Sequence, residues 1–252
     1  MKAGFTSTSL RKYSVEAVVE AAALSGAAAL EWGTDYHIRT EADALKARHL
    51  CDENGIISRS LGSYYRMGTE NYAEWERLCA LSEILGAEYI RTWLGGRGSD
   101  RTGEKEYSRL VEESLRMADI AAKHGAVISN ECHHGTYNDT VQSSLRYLAD
   151  TGGRVKTYYQ SWYRDREGDF EKLSKLLPSV SDVHVSFSEL RKFQTFHRKD
   201  TSFIPDIISS LAGADFGGFV LIEFTAGGKK EKLVEDVIKL RSMIDEAENI
   251  SK

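Results

Sequence analysis

Short apolar runs of strand length alternate along the chain with longer segments whose apolar residues recur at helical spacing. The runs fall at residues 3–6, 28–31, 56–58, 89–93, 126–128, 155–159, 183–185 and 219–222. Between them Val15, Val18, Val19 and Ala22 follow the i, i+3, i+4, i+7 rule, as one face of a helix requires. Trp75, Leu78, Leu81 and Leu85, and later Leu233, Val237, Leu240 and Ile244, repeat that spacing, and shorter patterns around Leu45, Leu110, Leu145, Leu173 and Ile207 complete the series. Gly26, Gly55, Gly86, Gly125 and Gly213 stand where a C-terminal cap would turn the chain into the next strand, and Ser14, Asp139 and Asp200 where a helix could begin. A strand followed by a helix, eight times over, predicts a single (β/α)8 TIM barrel spanning residues 1–252. A dinucleotide-binding sheet would want GxGxxG after its first strand, and Gly4-Phe5-Thr6-Ser7 does not supply it. With only Pro178 and Pro205 and no linker-like stretch, no domain boundary is expected.

Composition narrows the partners. The 252 residues carry 33 Lys+Arg against 38 Asp+Glu, a formal charge of −5, with both signs scattered and 41% of residues hydrophobic. That excludes disorder as a main theme and argues against a basic nucleic-acid-binding face. Cys51, Cys79 and Cys132 are widely spaced, without a CxxC pair, which suggests neither a disulfide framework nor a structural zinc cluster. No apolar run approaches a membrane span and the first residues lack the core of an export signal, so the expectation is a cytoplasmic protein without membrane contact.

In such a barrel the chemistry sits at the C-terminal ends of the strands, so polar residues closing apolar runs are the candidates. Glu131, Gln160, His184 and Glu223 close or interrupt runs five to eight. Two carboxylates, an imidazole and an amide oxygen on adjacent strands suit one divalent metal ion, Mn, Mg, Co or Zn. Glu31 and His37 after the second run, and His133 beside Glu131, are candidate substrate contacts. Trp93 and Trp162, with Trp32, could floor a sugar pocket, because an aromatic face accepts the C–H side of a sugar. Two glycine-rich loops, residues 95–101 and 226–230, carry basic residues and are candidate phosphate cradles.

The segment Glu131-Cys132-His133-His134-Gly135-Thr136, followed by Val183-His184-Val185 and Ile222-Glu223-Phe224, resembles the sugar phosphate isomerase/epimerase family with the xylose-isomerase-like barrel. Residues 30–37 and 61–65 are similar to members of the same group, so the resemblance runs along essentially the whole chain. It implies one divalent metal held on strands five to eight by Glu, Asp, His and Glu. Glu131, His184 and Glu223 match; Gln160 stands where Asp is usual, and Tyr163 where a His commonly follows. The implied reaction moves a proton beside a carbonyl through an enediolate, with Glu131 and Glu223 as the acid/base pair and a small sugar or sugar-like polyol as substrate. The departure at Gln160 keeps two further readings open: an inosose-type dehydratase on the same scaffold, and a noncatalytic sugar-binding barrel. The resemblance also allows a homo-oligomer.

Overall fold

A computed structural model describes residues 1–161, 166–187 and 204–251. Trp162, Tyr163 and the helix start expected at Asp200 lie outside the described residues. Eight parallel strands close into a barrel in chain order: β1 (Lys2–Thr6), β2 (Ala29–Gly33), β3 (Ile57–Met67), β4 (Tyr89–Leu94), β5 (Val127–Glu131), β6 (Lys156–Gln160), β7 (Val180–Val185) and β8 (Phe219–Ile222). Strand β8 pairs with β1 through Lys2 to Phe5, which completes the circle. The helices are α1 (Val15–Ser25), α2 (Glu41–Asn54), α3 (Tyr72–Leu85), α4 (Glu104–Lys123), α5 (Val141–Asp150), α6 (Arg166–Leu176), α7 (Ile204–Gly213) and α8 (Lys230–Ile250). The fold is the (β/α)8 TIM barrel that the alternation predicts. No helix among the described residues is long and apolar enough to cross a membrane.

Three boundaries differ from the sequence reading, for local reasons. Helix α5 is capped by Thr140, whose side chain accepts from Ser143 N while Ser143 returns a bond to Thr140 N; Asp139 instead accepts from Ser99 across the barrel mouth. Gly26, Gly55, Gly86 and Gly125 all have positive φ as C-caps require, but Gly213 remains helical and Asp215 takes the left-handed turn at φ 51°. Strand β3 also runs well past the three apolar residues that mark it, because polar and aromatic residues 58–66 continue its pairing to β4 around a bulge between Gly62 and Arg66.

The main hydrophobic core lies between sheet and helices, where Leu30, Trp32, Leu61, Ile90, Ile128 and Val183 meet the apolar faces of the helices. Inside the barrel the apolar cluster is small: Ala29, Tyr158, Phe219 and Leu221. The rest of the lumen is polar and arranged in layers. At its base Arg59 Nε donates to Asp182 Oδ1 at 3.0 Å and packs over Tyr89 and Phe219. Above it the Tyr158 hydroxyl donates to Ser60 at 2.6 Å. Buried polar groups in such numbers are tolerated only when each has a partner, so the arrangement of the top layer becomes the informative one.

Candidate functional site

The top layer is built by residues whose positions in their strands turn them into the lumen. Glu131 is the last residue of β5, Gln160 the last of β6, His184 the last but one of β7, and Glu223 follows β8 directly. Parallel pairing sets Gln160 opposite His184, and the Glu223 N–H bonds Val185 O at 2.8 Å, so these strand ends share one level. Phe224, immediately after Glu223, has a φ of 66°, and its N–H is held by Ser9 Oγ at 2.9 Å. A left-handed aromatic residue is unfavourable and persists only where its surroundings impose it; here it turns the chain out of the barrel just past the carboxylate.

One oxygen of Glu131 is tightly held: Oε2 accepts from Arg91 at 2.5 Å and from the Trp93 indole N–H at 2.7 Å. Arg91, from β4, also donates to Glu31 Oε1 at 3.1 Å. His184 lies between these groups, with Nε2 3.4 Å from Glu31 Oε2 and Nδ1 3.6 Å from Glu131 Oε1 and 4.0 Å from Glu223 Oε2. Neither imidazole nitrogen makes a hydrogen bond among the described residues, although His184 is only 1% exposed. Gln160 donates from Nε2 to Glu223 Oε2 at 2.8 Å.

The electrostatics follow from burial set against these neighbours. Burial alone would push the Arg91 guanidinium down, but Glu131 and Glu31 hold it far above its ordinary value. For Glu131 and Glu31 burial favours the neutral acid, and Arg91 with His184 overrides it, so both stay below the usual carboxylate range. In Glu223 burial prevails over the attraction of His184, and repulsion from Glu131 adds to it, so its carboxyl is raised. Burial would lower His184 as well, yet Glu31 and Glu131 outweigh it and raise the imidazole to about 10. A protonated His184 would add to the positive charge that Arg91 already brings to Glu31 and Glu131.

The same groups are the test of a metal. Glu131, His184 and Glu223 each offer a ligand atom within 4.8 Å of the others, and an unbonded, buried imidazole faces the same space. Oxygen and imidazole donors fit Mn, Mg, Co or Zn, so these residues suit a divalent ion in both position and chemistry. The Gln160 amide stands beside them and presents nitrogen toward Glu223; amide orientation is set by that bond.

The remaining candidates are distributed around this centre. Glu31 lies in the lumen within β2, 1% exposed, rather than on the rim after it. Trp93 is stacked on His133 with ring centroids 4.8 Å apart and meets Tyr64 edge-on, which makes an aromatic lip over Glu131. His37 is set apart: Nδ1 bonds Ser7 Oγ and Nε2 bonds Tyr13 O, so both ring nitrogens are occupied below the surface. Trp32 is fully buried in the layer between sheet and helices, with its indole N–H on Ser58. Arg91 was not among the sequence candidates. Its only local signal is a full charge in the middle of an otherwise uncharged strand, Tyr89-Ile90-Arg91-Thr92-Trp93-Leu94, where a buried arginine needs carboxylate partners.

Residues 19–243 match the family described as the xylose isomerase-like TIM barrel. No curated protein sequence matches the chain. Among solved structures, the fold is similar to that of the probable 3-DHS dehydratase AsbF of Bacillus anthracis, involved in petrobactin synthesis, with a TM-score of 0.78, 18% identity and coverage of 95% of this chain and 98% of that one. It is similar also to a xylose isomerase domain containing protein of Salmonella typhimurium, with a TM-score of 0.79, 15% identity and coverage of 96% and 97%. D-psicose 3-epimerase of Clostridium cellulolyticum superimposes with a TM-score of 0.68 at 16% identity, over 100% of this chain and 96% of that one. At such identities the likeness is one of fold.

Proposed function

The chain belongs to the xylose isomerase-like TIM barrel family, and on that premise we propose that it is a divalent-metal-dependent isomerase or epimerase of a small sugar or sugar-like polyol. The observation that carries this reading is the convergence of Glu131 and Glu223 on the buried His184 imidazole, which has no hydrogen-bond partner among the described residues. Glu131, His184 and Glu223 would hold the ion, with Gln160 able to add its amide oxygen. When bound, the ion polarises a substrate carbonyl and stabilises negative charge developing on its oxygen.

The two glutamates are not equivalent. Glu131 is fixed by Arg91 and Trp93 and is suited to remain an anion. Glu223 is the more open of the two, 9% exposed against 2%, and Gln160 holds only its Oε2. Glu223 is therefore the group assigned to take a proton from the carbon beside the carbonyl; isomerisation returns that proton to the adjoining carbon, whereas epimerisation needs one delivered to the opposite face, the part left to Glu131, and such general acid–base help is worth about 10²- to 10⁴-fold. Trp93 is covered by His133 and Arg66, so the aromatic faces left for the sugar's C–H side are those of Tyr64 and His133.

Solvent deuterium exchange tests the reading. Metal-replete protein in D2O should introduce deuterium at a carbon-bound position of a ketose or aldose, and Glu223→Gln should abolish it without loss of the fold. Absence of exchange across a broad panel of ketoses and aldoses would refute it. The dehydratase alternative remains attached to the amide at Gln160, and product mass separates the two, since isomerisation conserves mass and dehydration removes one water.

A further inference from the structure

A cavity of about 620 Å³ opens beside the mouth between the ends of β3 and β4 and the start of α4. Its side chains are unbalanced in charge: Arg66, Arg97, Lys105 and Arg109 line it, against the single carboxylate of Glu106. Arg97 approaches Glu106 only to 3.7 Å, and Lys105 and Arg109 make no ion pair among the described residues. Arg66 is half-buried, and burial with no carboxylate beside it pulls its guanidinium below the ordinary value. Its NH1 donates to Gly95 O at 2.9 Å, and its plane lies 4.1 Å over the Trp93 ring.

The walls are built rather than loose. Gly95 N bonds Met67 O, which extends the β3–β4 pairing to the cavity floor. Leu110 fills the space beside Gly68 and Gly95, both at positive φ, where a Cβ on Gly68 would come within 2.8 Å of it. The loop that presents Arg97 is pinned by Asp139, which accepts from Ser99 N and Oγ, and Thr102 Oγ closes back on Gly98 O. Gly98 admits this closure, since a Cβ there would meet Asp139 Oδ2 at 2.6 Å. Four cations on this frame, against Glu106 in the lining and the Glu113 carboxylate behind Gly68, leave an excess of positive charge that a compact, multiply charged oxyanion would neutralise.

We infer that this cleft is a binding site for a phosphoryl group, with Arg66, Lys105 and Arg109 as its principal contacts and Arg97 at its edge. The phosphoryl group can come from free phosphate or from the end of a sugar phosphate. The inference does not rest on the isomerase reading, because it is measured as binding without turnover. Through Arg66 the occupied site would touch the Trp93 face whose indole N–H holds Glu131.

The test is calorimetric titration of the full-length protein at constant ionic strength, with inorganic phosphate and a hexose monophosphate in parallel. Saturable binding is expected, weakened about tenfold or more in the Lys105→Ala/Arg109→Ala double variant, since each water-exposed charge contact at about 4 Å accounts for roughly fivefold. Arg48→Ala removes an exposed charge on α2, outside the cleft, and should leave binding intact. Tighter binding of the hexose monophosphate, lost in the same double variant, places the group on a sugar; equal binding places it on the free anion. No saturable binding of either probe, or equal weakening by Arg48→Ala and the double variant, would overturn the site.

Discussion

Replacing Arg91 with Met tests the charge layer that holds the centre together. The guanidinium is buried and bonds Glu131 Oε2 at 2.5 Å and Glu31 Oε1 at 3.1 Å, so Met keeps much of its length but leaves two carboxylates in the lumen without their cation. Breaking a buried pair by removing one partner costs about 3–5 kcal/mol, chiefly through the stranded charge. For a chain of this size each kcal/mol moves the melting temperature by about 2–4 °C, so Arg91→Met should melt about 6–20 °C lower in metal-free buffer. The stranded carboxyls should take up protons, so the deficit should narrow on acidification. Adding Glu31→Gln removes one of the two orphaned charges and should recover part of the loss, a coupling that a double-mutant cycle isolates. Differential scanning calorimetry of the four proteins measures it. A fall below about 2 °C, or losses that simply add, would refute the claim that Arg91 balances both glutamates.

Three further outcomes follow from particular contacts. A Cβ on Gly62 would lie 2.8 Å from Glu31 Oε1, so Gly62→Ala should cost about 1–3 kcal/mol in denaturant melts, whereas Gly96→Ala, which meets nothing within 4 Å, should stay within about 0.5. Burial pushes Cys51 up to about 11 and Cys79 to about 12, and Cys132 is buried as well, so thiol reagents near neutral pH should label the native protein poorly and all three cysteines once it is denatured. Burial outweighs Arg59 at Asp182 and raises its carboxyl from 3.8 to about 6. Folding thus favours the protonated form: the contribution is full below about pH 4 and is lost as pH rises through about 6, about 3 kcal/mol at about 1.4 per pH unit. Asp182→Asn should flatten that slope in stability measured across the same window.

The barrel was legible because each strand core is apolar and each helix keeps its spacing, signals carried within a dozen residues. The ligand candidates were legible for the same reason, as polar residues ending apolar runs. What pairs them was not. Arg91 meets Glu31 across 60 residues of chain and Glu131 across 40, and no local pattern ties them together. Glu31 reads as a rim residue until the register sets it opposite Ser60 inside the lumen. The length of β3 was hidden because its second half is half-polar and bulged, and the cap of α5 because Asp139 is engaged elsewhere. The different surroundings of Glu131 and Glu223 likewise depend on neighbours brought in from β4 and β6.

Glu131, His184 and Glu223 are proposed to form one cation site, and metal uptake by chelator-stripped protein decides whether they do. Titration with Mn2+, followed by mass-spectrometric metal analysis, should give one equivalent per chain, with affinity reduced by at least about tenfold in His184→Ala and in Glu131→Gln. No uptake, or uptake unchanged when His184 is removed, would contradict the account.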